Sequence, residues 1–203
     1  MALIIHGGPA GAFNQAFTGN PGIYVVQYFT SKGYAVLRPN PRGSTGYGKD
    51  FRYANFKDWG FGDYEDIMSG VDKVIEMGVA DQKRLAVMGW SYGGYMTSFV
   101  VTRTDRFKAA SSGAGVFEQT MQWSIEDTPG HVVNYAKGLP WTATEELQAM
   151  SPIFEADNIT TPTIIHVGAG DARVPAEQSK ALYRALHDYL DVPTQLVIYP
   201  GTG

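Results

Sequence analysis

The residue best placed to do chemistry in this sequence is Ser91, within Arg84-Leu85-Ala86-Val87-Met88-Gly89-Trp90-Ser91-Tyr92-Gly93-Gly94-Tyr95-Met96-Thr97. Leu85 to Met88 form a short apolar run that reads as a buried strand. Gly89-Trp90-Ser91-Tyr92-Gly93 then fits G-x-S-x-G, and a helix-like stretch follows. Such a sequence sets a hydroxyl in a cramped turn and pushes it clear of the sheet, while small neighbours let other backbone pass close to a strained position. The helix behind the serine aims its positive end at the point where an oxyanion would form. The chemistry implied is acyl transfer, with Ser91 attacking a carbonyl. In a chain with 24 glycines the pentapeptide alone is a weak signal; the strand before it and the helix after it separate it from an ordinary strand-to-helix turn.

An acylating serine needs a base, an acid that orients the base, and two N–H donors for the oxyanion. In α/β-hydrolases, where the serine turn has this form, the triad follows the chain order Ser, Asp, His. The acid candidate is Asp171 in Gly168-Ala169-Gly170-Asp171-Ala172-Arg173-Val174-Pro175, a loop directly after the apolar run Thr163 to Val167. Its plain alternative, capping the helix that starts near Pro175, places it four residues early. One oxyanion donor is the amide of Tyr92, and the other is Gly8 in His6-Gly7-Gly8-Pro9, against the alternative of a simple Gly-Pro turn. The base is harder to find among the four histidines. His6 precedes the serine, His131 lies in an irregular stretch before Asp171, His166 reads as a packed strand residue, and His187 sits in mid-helix. None follows the final strand.

The elements that must hold these residues alternate apolar runs with helix-period segments, which predicts a mainly parallel sheet covered by helices on both faces. Strands are expected at Leu3 to Ile5, Ala35 to Arg38, Arg84 to Met88, Lys108 to Ser111, Thr163 to Val167 and Gln195 to Tyr199. Helices are expected at Gly22 to Ser31, from an N-cap at Asp63 to Gly78, behind Ser91, and at Ala176 to Tyr189. Residues 117 to 160 are irregular and aromatic, as a lid or pocket-forming insertion would be.

The 203 residues, 44% hydrophobic and 18% charged, suit one globular domain. A net charge of −4 without a basic stripe argues against nucleic acid as a partner. No apolar run is long enough to span a membrane, and no signal peptide is visible, so a cytoplasmic segment is expected rather than a secreted one. With no cysteine, disulfides and a Cys nucleophile are excluded. Asp63, Glu65 and Asp66 lie in a helix's first turn, where the dipole favours acids, so no metal site is expected. No cofactor is expected either.

The chain resembles the catalytic domain of the prolyl oligopeptidase family of serine peptidases, in the branch of acylaminoacyl-peptidases and dipeptidyl-peptidase-like enzymes. The resemblance spans essentially the whole length. It rests on HGGP at 6 to 9, RPNPRGSTGYG at 38 to 48, GDYEDIMSGVD at 62 to 72, GWSYGGYM at 89 to 96, DRFKAA at 105 to 110, SPI at 151 to 153 and DARVP at 171 to 175. It implies an α/β-hydrolase fold, Ser91 and Asp171 as triad members, and the amides of Tyr92 and Gly8 as oxyanion donors. Arg173 matches a position that holds a substrate carbonyl in some members; its plain alternative is a surface ion pair. Arg173, Val116 and Trp123 stand as the substrate-binding candidates. Phe117, Trp123 and Trp141 either shape an apolar pocket or simply pack the lid. Trp59, Phe61 and Tyr64 read as aromatic core.

The implied substrate is a short peptide or aminoacyl compound; a carboxylesterase with the same machinery is the alternative. The family's YP-x-x-GH ending is present up to Gly203, so the catalytic histidine is expected at the next residue. The family's N-terminal β-propeller and early strands are likewise missing, and the chain reads as a segment of a longer protein, with Met1 as an added start. Two expectations follow: an inactive or nearly inactive segment, and an unpaired sheet edge at Leu3 to Ile5 through which copies could associate.

Overall fold

Six parallel strands, in the spatial order β2-β1-β3-β4-β5-β6, carry every other element of the computed structural model, which describes residues 1–16 and 24–202. β1 (Ala2–Ile5), β2 (Val36–Leu37), β3 (Leu85–Trp90), β4 (Phe107–Gly113), β5 (Thr163–Gly168) and β6 (Thr194–Tyr199) form a doubly covered sheet of the α/β-hydrolase type. Between them run α1 (Val26–Ser31), α2 (Lys49–Tyr53), α3 (Gly62–Glu76), α4 (Tyr92–Arg103), α5 (Gln119–Ile125), α6 (Gly130–Ala136), α7 (Thr144–Ala149), a 3₁₀ segment (Pro152–Asn158) and α8 (Ala176–Tyr183).

The chain enters the sheet in its interior at β1 and steps outward to β2. It then crosses to the other side of β1 for β3 and proceeds outward through β4, β5 and β6. The direction therefore reverses between β1 and β3. Loops leaving the carboxyl ends of these two strands diverge and leave a crevice, the place where open α/β sheets bind ligands. The loop after β1 carries Gly8 and the turn after β3 carries Ser91.

The expected edge at Leu3 to Ile5 is corrected by this order. β1 pairs with β3 from Ala2↔Ala86 to Ile5↔Gly89 and with β2 through Ala2↔Val36 and Leu3↔Leu37. Leu3, Ile4 and Ile5 are completely buried, each stabilising the core by about 1.5–3 kcal/mol. β1 is therefore not an unpaired edge, and among the described residues the edge strands are β2 and β6.

Other boundaries shift for local reasons. The first helix is α1, beginning at Val26; residues 22 and 23 of the expected span lie outside the described residues. α3 starts one residue before Asp63, which is buried in its first turn and is not the N-cap. Ile67 and Val71 form its buried face, and Gly78, at φ +72°, ends it. After Tyr183 the expected long helix widens into a π turn over Arg184–Tyr189, with the Leu190 amide reaching back five residues to the Ala185 carbonyl.

Candidate active site

Ser91 sits between β3 and α4 with φ 60° and ψ −121°, a conformation that a non-glycine residue adopts only where its surroundings enforce it. Its amide donates to the Gly113 carbonyl of β4 (2.8 Å), and its carbonyl accepts from the Tyr95 amide (2.9 Å). The close fit of the turn explains the glycines. A β-carbon on Gly93 would lie 2.1 Å from the Ile5 carbonyl oxygen, and one on Gly89 would lie 2.4 Å from Gly93. Only hydrogen at these positions lets the start of α4 nest against the end of β1.

The glycine loop after β1 runs against the serine. A β-carbon at Gly7 would fall 3.5 Å from Ser91 Cβ, and Gly8 has φ +135°, which L-residues rarely adopt. His6, beneath this loop, is buried, with Nε2 3.0 Å from Ser44 Oγ and Nδ1 2.9 Å from the Gly7 carbonyl. Burial lowers its pKa, which suits a neutral structural imidazole.

Asp171 lies in the loop after β5, two strands from β3, or about 10 Å at the usual strand spacing. Its Oδ1 accepts from the Arg173 and Val174 amides (3.0 and 2.9 Å), while Oδ2 has no partner among the described residues. The end of β6 braces this loop. The Gly170 amide donates to the Thr202 carbonyl (2.7 Å) and the Ala169 amide to the Tyr199 carbonyl (2.9 Å). Chain continuing from Thr202 thus starts beside the Asp171 loop.

A cavity of about 300 Å³ opens at Ser91. Gly8, Tyr92, Val116 and Arg173 line it, as do Trp59 and Tyr95. Trp123 does not. It packs edge-to-face on the exposed Trp141 at 5.8 Å. The reason is helical phase: Gln119, Gln122 and Glu126, at spacings of three and four, turn toward the cavity, and residue 123 lies about 100° away from 122. Phe117 is core, its amide held by Gln178 Oε1 at 2.8 Å. Arg173 sits at the rim, its guanidinium half-exposed and forked onto Asp127 (2.6 and 3.3 Å).

Sequence reasoning missed the polar half of this cavity. Gln122 is fixed by Gln178, whose Nε2 donates to its Oε1 (3.2 Å). Its own Nε2 donates to Glu126 Oε2 (3.0 Å) and to the Arg173 carbonyl (2.6 Å). Burial raises the Glu126 pKa, against the opposing pull of Gln122, Arg173 and the Val132 amide. His131 packs edge-on to Trp59 and Tyr135; burial, then the positive charges of Arg173 and Arg52, lower its pKa. Behind the cavity wall the Tyr92 hydroxyl donates to Asp63 Oδ2 at 2.5 Å. Burial pushes Asp63 up to about 7, despite bonds from Tyr92 and from the Tyr64 and Gly60 amides that favour its charged form. The only advance signal for the polar wall was the 3–4 spacing of Gln119, Gln122 and Glu126, which an ordinary helix shares.

Among the described residues no cluster of three or more metal-ligating side chains occurs, and no helix is long and apolar enough to cross a membrane.

Residues 23–203 match the prolyl oligopeptidase family. The chain is 37% identical, over its whole length, to the uncharacterized peptidase YuxL of Bacillus subtilis, of which it covers 30%. It superposes on the acylaminoacyl peptidase of Pyrococcus horikoshii with a TM-score of 0.91 at 32% identity, over all of this chain and 32% of that one. An acylaminoacyl peptidase in complex with Z-Gly-Gly-Phe-chloromethyl ketone matches with a TM-score of 0.90 at 32% identity, over 98% of this chain and 32% of that one. The chain therefore spans about a third of the length of the proteins it matches.

Proposed function

This chain belongs to the prolyl oligopeptidase family, and on that premise we propose that it supplies the acylating centre of a serine peptidase acting on short peptides. The observation that carries the reading is the cavity opening at the strained Ser91, between the Gly8 loop and the start of α4. The family match and the likeness to a peptidase holding a peptidyl chloromethyl ketone support it.

In this reading Ser91 Oγ attacks the scissile carbonyl, and the developing oxyanion is held by the amides of Tyr92 and Gly8 at the positive end of α4. A histidine in the chain that follows Gly203 takes the serine proton and delivers it to the leaving amine. Asp171 Oδ2, unpartnered, accepts from that imidazole while Oδ1 stays on its two amides. The C–N bond breaks, the C-terminal fragment leaves with its new amine, and water then hydrolyses the acyl-enzyme by the same route. Arg173 binds the substrate from the rim, where its guanidinium fork suits a peptide carbonyl or carboxylate.

The test is fluorophosphonate labelling of the full-length protein, with the labelled residue identified by mass spectrometry. Labelling at Ser91, together with turnover of peptidyl naphthylamides above that of short p-nitrophenyl esters, is expected. Labelling elsewhere refutes the site, and turnover of esters alone replaces the peptidase with a carboxylesterase.

A further inference from the structure

The wall of the cavity contains more hydrogen-bonding capacity than the protein itself uses. Trp59 Nε1, Tyr95 Oη, both Nε2 and Oε1 of Gln119, and Glu126 Oε1 are buried and have no hydrogen-bond partner among the described residues, and all four residues line the cavity that starts at Ser91. Gln119 is 1% exposed and Glu126 7%. Buried polar atoms are nearly always paired, since each one left alone costs about 1–3 kcal/mol. Four such residues around one cavity mark a place where a ligand completes the bonding.

Resting on the serine peptidase reading above, we propose that this cavity takes a carboxamide side chain, glutamine or asparagine, on the residue whose carbonyl Ser91 attacks. The atoms on offer fall into two sets. Trp59 Nε1, Tyr95 Oη and Gln119 Nε2 donate; Gln119 Oε1 and Glu126 Oε1 accept. A carboxamide meets both, its oxygen toward the donors and its NH₂ toward the acceptors. An ammonium would satisfy the acceptors only, a carboxylate would face Glu126, and an apolar side chain would leave every one of these atoms unpaired. The wall is also preorganised. Gln122, held by Gln178, ties down Glu126 Oε2 and so leaves Oε1 as the free oxygen. The acyl side is assigned because the leaving amine must lie beside the imidazole that protonates it, near Asp171 and Thr202, and neither of these lines the cavity.

The test uses the full-length protein and peptidyl 2-naphthylamides differing only in the residue joined to the naphthylamide: glutamine, its apolar near-isostere methionine, and lysine. The glutamine substrate is expected to exceed both others in kcat/KM by at least about tenfold, since a site built to bond a polar group rejects analogues lacking it. Gln119→Met, which keeps size and removes the amide, is expected to bring glutamine and methionine within about threefold. Tyr95→Phe, which removes a single hydroxyl, is expected to lower the same ratio. Fluorophosphonate labelling of Ser91 checks the reaction centre of each protein independently of side-chain preference. Equal turnover of methionine, a preference for lysine, or a ratio unmoved in both labelled variants overturns the carboxamide assignment while the peptidase reading stands. Failure of Ser91 to label in the parent protein overturns both.

Discussion

The turn around Ser91 and the helical stretch from Phe117 to Met150 both contribute walls to one cavity, and they are built on different principles. At the turn, backbone does the work. Gly89 and Gly93 are where they are because a β-carbon at either would meet backbone of α4 or β1, and the Ser91 amide is bonded across the sheet to Gly113. In the helical stretch side chains do the work. Gln119, Gln122 and Glu126 lie on one face of α5 and its C-terminal end, and their polar atoms are divided between a fixed network and a free set. The turn can change hardly at all without losing the reaction, whereas the helical wall can change widely and redirect it.

The comparison is sharpest at Ser91 itself. Ser91→Ala keeps the β-carbon and thus the fold, so the melting temperature should barely move, while peptidase turnover falls by about 10⁴–10⁶-fold. A steady-state assay beside a thermal melt checks this, and residual turnover within 100-fold of the parent would break the comparison at its centre.

Gly93→Ala attacks the same wall through packing. Its new β-carbon would stand 2.1 Å from the Ile5 carbonyl oxygen, and a loss of about 3 kcal/mol or more is expected, read by denaturant unfolding. Gly130, at the start of α6 with nothing within 4 Å of an added β-carbon, is the matched position in the helical stretch.

Asp63 links the turn to α3 through the Tyr92 hydroxyl. Its folded-state pKa, about 7, lies above its ordinary value of 3.8. The folded protein therefore holds a proton that the unfolded chain releases, and this group's stabilisation is complete below about pH 4 and lost as pH rises to about 7. Relative to Asp63→Asn, the parent should lose about 1 kcal/mol per pH unit in the middle of that window and nothing further above it. Paired unfolding curves across the window measure the difference; a constant offset would show that Asp63 does not titrate there.

At the rim of the cavity effects move into binding. Arg173→Ala should raise KM about tenfold with kcat nearly kept, since the guanidinium sits at the rim and not at the reacting atoms. Asp127→Ala, which frees the fork, should not reproduce that rise. A fall in kcat at constant KM for Arg173→Ala would move this residue to the chemical side. Gly130→Ala should stabilise by about 0.5–1 kcal/mol through helix propensity, with no change in either kinetic constant.

The same contrast explains what could be read beforehand. The alternation of apolar runs and helical periods is imposed by burial, so the parallel sheet and its helices were legible. So was the serine turn, because sterics leave so few residue types at 89 and 93. The position of β1 was not. Leu3 to Ile5 are equally apolar at an edge or an interior, and the two residues of β2 that cover them carry no sign of which side they will take. Asp63 begins a helix either as an exposed cap or as a buried partner of Tyr92, and only the fold distinguishes the two. Gln119 and Glu126 resemble solvent-facing helix residues until the cavity closes over them. For Trp123 pocket lining and lid packing read alike, because an aromatic in an insertion carries no information on helical phase.

The bracing of the Asp171 loop by Thr202 has a consequence for how the protein comes into being. Of the six strands, β6 is the last to be synthesised, and until it docks, Ala169 and Gly170 lack the carbonyls that hold their amides. The serine turn, by contrast, makes its contacts within the span from β1 to β4. Tyr95 and Gly113, the backbone partners of Ser91, thus precede along the chain Tyr199 and Thr202, which hold the Ala169 and Gly170 amides. The bracing of the acid loop therefore waits on β6, the strand of the six that leaves the ribosome last.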